Sequence, residues 1–250
     1  MRFAFTEEQD ELRRQARALL EEREPTWQEL AELGWLGVSV PEEAGGAGLG
    51  FVEEAVLFEE LGRVLYAGPY FATVGLALPQ LSPDEQALVA RGERTYDVDE
   101  IGLDGPVTRA RAFAALAAEA VGIAQKALEL AVEHAKSREQ FGRPIGVYQA
   151  VSHPIVNTYV ETELARSLAY WAAWCVAEGD DEAELAALAA KSYAAETAVA
   201  ACERSIQVHG GIGFTWEHPL HRYYKRAQWI EAFGGYPAKQ RAEIAASLLD

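Results

Sequence analysis

Residues 108–136 read TRARAFAALAAEAVGIAQKALELAVEHAK, 29 positions without a proline and with their large apolar side chains on a helical period. A helix of that length extends about 40 Å at 1.5 Å per residue. Two further stretches, 149–178 and 182–209, repeat the pattern. The connections REQFGRPIGVY and EGDDEA are short, which predicts antiparallel neighbours in a bundle. After HGGIG at 209–213 the pattern resumes near 217–230 and again near 238–248. Apolar stripes run along the first two long helices: Phe113, Leu116, Val121, Ile123 and Leu128 on one, and Ile155, Val156, Tyr159, Leu164 and Trp171 on the other. Wide apolar faces on helices this long predict a two-fold association through the bundle.

Upstream the chain is helical in shorter pieces. Thr6 with Gln9, and Thr26 with Glu29 behind Pro25, form capping boxes that open helices ending near Glu22 and at Gly34. The stretch GWLGVSVPEEAGGAGLG at 34–50 has too many glycines for a regular element. Helical patterns return at Phe51–Tyr66, at Tyr70–Leu78 and from the Ser82 cap to about Arg91. Residues 92–107, GERTYDVDEIGLDGPV, are polar and leave room for one or two strands at most. The expected fold is all-α: an N-terminal helical domain over 1–91, a linker over 92–107, and a C-terminal four-helix-type bundle over 108–250.

The 250 residues are half hydrophobic, enough for a sizeable core. Acidic side chains outnumber basic ones 39 to 22, a net charge of -17 that repels phosphate backbones and argues against nucleic acid as partner. No apolar run is long enough to span a bilayer, and MRFAFTEEQDELRRQ carries charge where a signal peptide needs an apolar stretch, so a cytoplasmic location is expected. Cys175 and Cys202 have no metal-ligand spacing around them and read as buried free thiols.

Three segments have the composition of a site. Arg138-Glu139-Gln140-Phe141-Gly142 is followed by Pro144-Ile145 and Gln149. A guanidinium beside an amide and an aromatic suits a phosphate and a flat ring, although cation, glycine and proline also simply end a helix. Gln207-Val208-His209-Gly210-Gly211-Ile212-Gly213-Phe214 offers glycines that admit close backbone approach to an anion, or merely a turn. Phe233-Gly234-Gly235-Tyr236-Pro237-Ala238-Lys239-Gln240-Arg241 is a further hinge.

Taken together these segments resemble the acyl-CoA dehydrogenase family. VEHAKSREQFGRPIGVYQAVSHPIVNTYVETELARS is similar to the family's R-x-Q-F-G…Q block, and QVHGGIGFTWEHPLHRYYKRAQW to its Q-x-x-G-G-x-G-[FY] block. LAELGWLGVSVPEEAGGAGLG resembles its opening helical domain. The resemblance covers 3–91 and 108–248 and implies FAD shared across a subunit interface. It implies that Arg138, Gln140 and Phe141 contact the adenosine-pyrophosphate half of a neighbouring subunit's flavin, with Gln207, Gly210 and Gly211 lining the same half-site and Gln149 close by.

The chain departs from the family in two places. The family carries a β-barrel domain between its helical halves, and the sixteen residues 92–107 cannot close a barrel. The family also uses a carboxylate to take the α-proton of an acyl-CoA thioester, in a Y-E-G-T motif. Aligned through Arg226-Ala227 and Gln240-Arg241, the glutamate position is Gly234, and the following flavin-contacting positions read Tyr236-Pro237-Ala238. The alternative base position of some relatives falls at Ala112 or Phe113, so no catalytic residue is assigned. Glu231, about one turn earlier, is either a solvent-facing side chain or a substitute base. Loss of a subunit's own half-site with survival of the half offered to a neighbour implies pairing with a full-length relative. Similar truncated chains are paired in this way, some acting on bulky acyl-CoA substrates such as steroid side chains. Two alternatives stand beside that reading: a self-sufficient homo-oligomeric dehydrogenase using an unusual base, and a helical assembly protein without flavin.

Overall fold

A computed structural model describes residues 5–103 and 105–249. Helices α1 (Glu7–Glu22), α2 (Trp27–Glu32), α3 (Phe51–Val64) and α4 (Pro83–Ala90) precede the long helices α5 (Pro106–Ser137), α6 (Gln149–Glu178) and α7 (Ala183–His209), and α8 (Leu220–Ala232) and α9 (Pro237–Leu249) follow. The capping boxes at Thr6, Thr26 and Ser82 are all formed. Tyr70–Leu78 differs from the expected α-helix: Phe71–Ala77 is wound as a wider π-helix and wholly buried. The loop at 34–50 is held by its own backbone, with Ala47 N–H donating to Gly37 O and Gly48 N–H to Val40 O, both at 2.9 Å.

Residues 92–107 hold no strand among the described residues; they carry one 3-10 turn, Val98–Glu100, and α5 already begins at Pro106. They are pinned rather than paired: Tyr96 is buried, and its N–H donates to Thr73 Oγ1 at 3.1 Å. The two short strands form elsewhere, in the α5–α6 connection, where β1 (Glu139–Gln140) pairs antiparallel with β2 (Arg143–Pro144). Between them Phe141 and Gly142 have φ of 54° and 78°. Two successive residues at positive φ are what a tight I′-type hairpin requires, and Phe-Gly was hidden from pattern reading because a phenylalanine rarely takes that conformation.

The core is continuous from α1 to α8, with α5 at its centre between α3, α6 and α7. Phe113, Leu116, Val121, Ile123 and Leu128 are all buried within the chain, so the α5 stripe offers nothing to a partner. On α6 the outcome is split: Ile155 and Trp171 are half-buried, Trp171 against the core, whereas Val156, Tyr159 and Leu164, with Val160, are 48–56% exposed at positions that share one helix face. Cys175 and Cys202 are buried free thiols.

Helices α3 and α5 cross at paired glycines. A Cβ added at Gly122 would lie 2.0 Å from Glu59 O, and one at Gly62 would lie 2.3 Å from Glu119 O. Both obstacles are helix backbone, which cannot rotate aside. Gly122→Ala is therefore expected to destabilise the chain by about 1–3 kcal/mol through overpacking, although alanine is the better helix former. A melting temperature equal to or above the parent's would show that the helices can separate without cost.

Candidate functional site

Because α5, α6 and α7 alternate in direction, the C-terminal ends of α5 and α7 lie side by side. The His134 and His209 rings stack there, 4.3 Å apart and 28° from coplanar. All seven residues singled out in the sequence lie at this end of the bundle. Arg138 caps α5 in an extended conformation, its N–H donating to His134 O at 2.9 Å, and its carbonyl accepts from Ile145 N–H as the hairpin closes. Gln140 and Phe141 are on the hairpin, Gln149 opens α6, Gln207 is in the last turn of α7, and Gly210 and Gly211 begin the 3-10 turn Gly210–Phe214.

Little of this surface is used by the chain itself; the Gln140 amide donates to the neighbouring Glu139 carbonyl at 2.8 Å. Arg138, Gln140, Gln149 and Gln207 are exposed, and Phe141 is 92% exposed. Arg138 holds no carboxylate among the described residues, whereas Arg204 and Arg241 each form a two-bond pair with one. Phe141 is held in the left-handed region with only an edge contact to Tyr148, ring centroids 6.3 Å apart. Gly210 needs to be glycine for its backbone, with φ 63° and ψ -136°. Gly211 does not: a Cβ there meets nothing within 4 Å and its φ is ordinary. Val147, Ile212, Phe214 and Trp216 add exposed apolar surface on the neighbouring turns. An unpaired guanidinium, an upstanding aromatic ring and an open glycine backbone fit the adenosine-pyrophosphate half of a dinucleotide.

The positions where a base would be expected meet in space and are closed. A Cβ on Gly234 would lie 2.6 Å from the Phe113 ring and 3.2 Å from Leu103 Cδ1. Phe113 and Ala112 are fully buried. Gly234 also has φ 67°, which disfavours any side chain. Phe71, Trp229 and Phe233 pack beside this turn with centroids 5.0–5.8 Å apart, filling the space between the π-helix and α8. Behind them Arg226 forms a two-bond pair with Glu119 at 2.6 and 2.9 Å, at one wall of a groove of about 300 Å³ lined also by Tyr66, Gly68 and Arg222. Glu231 is half-buried rather than solvent-facing, and burial raises its carboxyl above the ordinary carboxylate value, with Glu196 adding to the rise.

The sequence reading missed Lys191, whose side chain is fully buried. Its Nζ donates to the carbonyls of Glu231, Phe233 and Gly235 at 3.1, 2.7 and 2.9 Å, stapling the turn that holds Gly234. Burial pushes its ammonium down to about 8. The signal was a lone cation in the alanine-rich run AALAAKSYAAE.

Residues 109–249 match the family model described as acyl-CoA dehydrogenase, C-terminal domain, and residues 6–83 match the acyl-CoA dehydrogenase, N-terminal domain. The chain belongs to the acyl-CoA dehydrogenase family. It is a truncated member, its two helical halves joined where fuller members carry a β domain. It is 35% identical to the acyl-CoA dehydrogenase IpdE2 of Mycobacterium tuberculosis over 82% of this chain and 80% of that one. Among solved structures it matches the Tcur3481–Tcur3483 steroid ACAD with a TM-score of 0.85 at 26% identity, covering 97% and 98% of the two chains. The ChsE4–ChsE5 complex of Mycobacterium tuberculosis has the same fold, TM-score 0.85 at 22% identity over 100% and 99%. Acyl-CoA dehydrogenases are FAD-dependent oxidoreductases. Among the described residues no helix is long and apolar enough to cross a membrane, and no cluster of three or more His, Cys, Asp or Glu side chains is placed to hold a metal ion.

Proposed function

We propose that this chain is the non-catalytic subunit of a hetero-oligomeric acyl-CoA dehydrogenase and completes the flavin site of a full-length partner that carries the base. The observation that carries this reading is the contrast between its two half-sites. At the hairpin end Arg138, Phe141 and Gly211 are unsatisfied by their own chain. At the Gly234 turn, Phe113 and Leu103 fill the space a base would need, and Lys191 staples the backbone of the turn. FAD supplies hydride acceptance when bound; in this proposal Arg138 pairs with its pyrophosphate and Phe141 packs on its adenosine half. Gln140, Gln149, Gln207 and Gly210 line the same half-site, and the α,β-dehydrogenation of the acyl-CoA takes place on the partner. The exposed face of α6 and the apolar rim around Phe214 and Trp216 are the surface such a partner would cover. Two of the structural relatives are themselves named as pairs, Tcur3481–Tcur3483 and ChsE4–ChsE5, which supports pairing here.

The strained phenylalanine gives a test with opposite signs. A non-glycine residue in the left-handed region costs about 1–2 kcal/mol. Phe141→Gly in the isolated chain is therefore expected to leave stability unchanged or raise it, while the assembled complex loses flavin. Arg138→Ala is expected to weaken FAD retention by about 1.5–3 kcal/mol, the worth of a charge-assisted contact, with helicity unchanged. Flavin absorbance per complex, read beside circular dichroism, checks both. Normal flavin content in both variants would reduce the hairpin to a helix terminator.

A further inference from the structure

Four of the chain's five histidines meet beside the hairpin end. His209, at the end of α7, lies between two other imidazoles. His134 of α5 stacks on one side, and His218, just before α8, lies on the other at 4.3 Å and 53°. His221 adjoins His218, its Nδ1 2.9 Å from His218 O, and the Trp216 ring stands edge-on to it at 4.7 Å. The hydrogen bonds identify the neutral tautomers. His209 Nδ1 lies 2.7 Å from Ser205 O, so it carries a proton. His218 Nδ1 instead faces Leu220 N–H at 3.4 Å, so it accepts, and a proton added there would oppose that donor. The charged and titratable groups that act on these rings are of one sign. His134 faces His209 and Arg138 on its own helix, and His218 faces His209, His134 and His221. Burial first, and these neighbours second, hold His134 and His218 below the ordinary imidazole value of 6.5.

The stack spans the turn 210–218: His209 anchors one end, His218 the other, and His134 ties His209 to α5. We propose that the His134–His209–His218 stack is a proton-sensitive latch on this turn, closed while His134 and His218 are neutral and released when they charge. The sign follows from the depressed values. The folded latch binds fewer protons than the open one, so closure is complete above the ordinary imidazole value and is lost as pH falls below it. Since the turn carries Gly210 and Gly211, acidification would also release the flavin half-site. That consequence rests on the function proposed above; the latch itself does not.

The test is amide hydrogen exchange on the full chain without flavin, corrected for intrinsic chemistry, at pH 7.5 and 5.5. Protection of 210–218 relative to α3 is expected to fall between these two pH values, with a slope of at most about tenfold per pH unit for each proton taken up on opening. The His134→Gln/His218→Gln variant, whose flat polar amides do not titrate, is expected to lose that dependence. If the double variant does not fold, His218→Gln alone and proton NMR titration of the parent serve, with His134 and His218 expected to titrate below 6.5. Equal pH dependence in parent and variant, or ordinary titration of both rings, overturns the latch. Loosening of the turn without flavin loss from the complex at pH 5.5 supports the latch and counts against the flavin half-site.

Discussion

Purified alone, the chain is expected to show no acyl-CoA oxidation with an artificial electron acceptor. Removal of a general base typically costs about 10²–10⁴ in rate, and here the flavin ring lacks its β domain as well. The loss is not expected to be repaired by Gly234→Glu. The new side chain would begin 2.6 Å from the Phe113 ring, on a backbone at φ 67°. That variant should melt lower than the parent and remain inactive, because overpacking costs about 1–3 kcal/mol and a left-handed non-glycine about 1–2 kcal/mol. Addition of a full-length partner that carries the glutamate is expected to produce activity that neither chain shows alone. Robust turnover by the isolated chain, abolished by Glu231→Gln, would instead assign the base to Glu231, whose carboxyl is already raised by burial.

The second large effect concerns Glu59, a fully buried carboxylate on α3 that holds α1 and α6 together. Arg13 donates to it at 2.9 Å, Arg166 at 3.0 Å and Tyr170 at 2.6 Å. Burial opposes its ionisation, yet Arg13 and Arg166 hold it below the ordinary carboxylate value of 4.5. Glu59→Gln would take from two largely buried guanidinium groups their common counter-charge, leaving Arg13 the longer contact to buried Glu60 at 3.6 Å and Arg166 the more exposed Glu163. Breaking a buried pair in this way costs about 3–5 kcal/mol, or roughly 10 °C in melting temperature for a chain of this size. The pH dependence has a definite sign. A depressed carboxyl contributes stability above its unfolded value and loses it as pH falls through the folded one. Stability of the parent should therefore fall on acidification below about pH 4.5, and the variant should lose part of that slope. Melting curves at pH 7, 5 and 4 measure both effects, and a variant as stable as the parent would show that water or local movement compensates the arginines.

Hydrophobic periodicity alone placed α5, α6 and α7, because a 30-residue apolar stripe admits few competing structures. The capping boxes at Thr6, Thr26 and Ser82 marked helix starts correctly, since a side chain three residues away satisfies them. The same order of segments identified the family, and the absence of a carboxylate at 112, 113 and 234 was visible in the sequence. Burial was not. Periodicity gives the same weight to the stripe on α5, which the chain covers, and to that on α6, which it leaves partly open, because coverage depends on which helices become neighbours. Gly62 and Gly122 gave no signal of their own; they matter only because α3 crosses α5 with backbone against backbone. Phe141 looked like an ordinary aromatic until the hairpin fixed its φ. Lys191 and the histidine stack have the same origin. Lys191 lies 40 residues before its nearest acceptor in the chain, and His134 lies 75 before His209. Local sequence therefore determined the helices and the loss of the base, whereas only tertiary packing decided what fills the vacated place, which face stays open and which titratable groups meet.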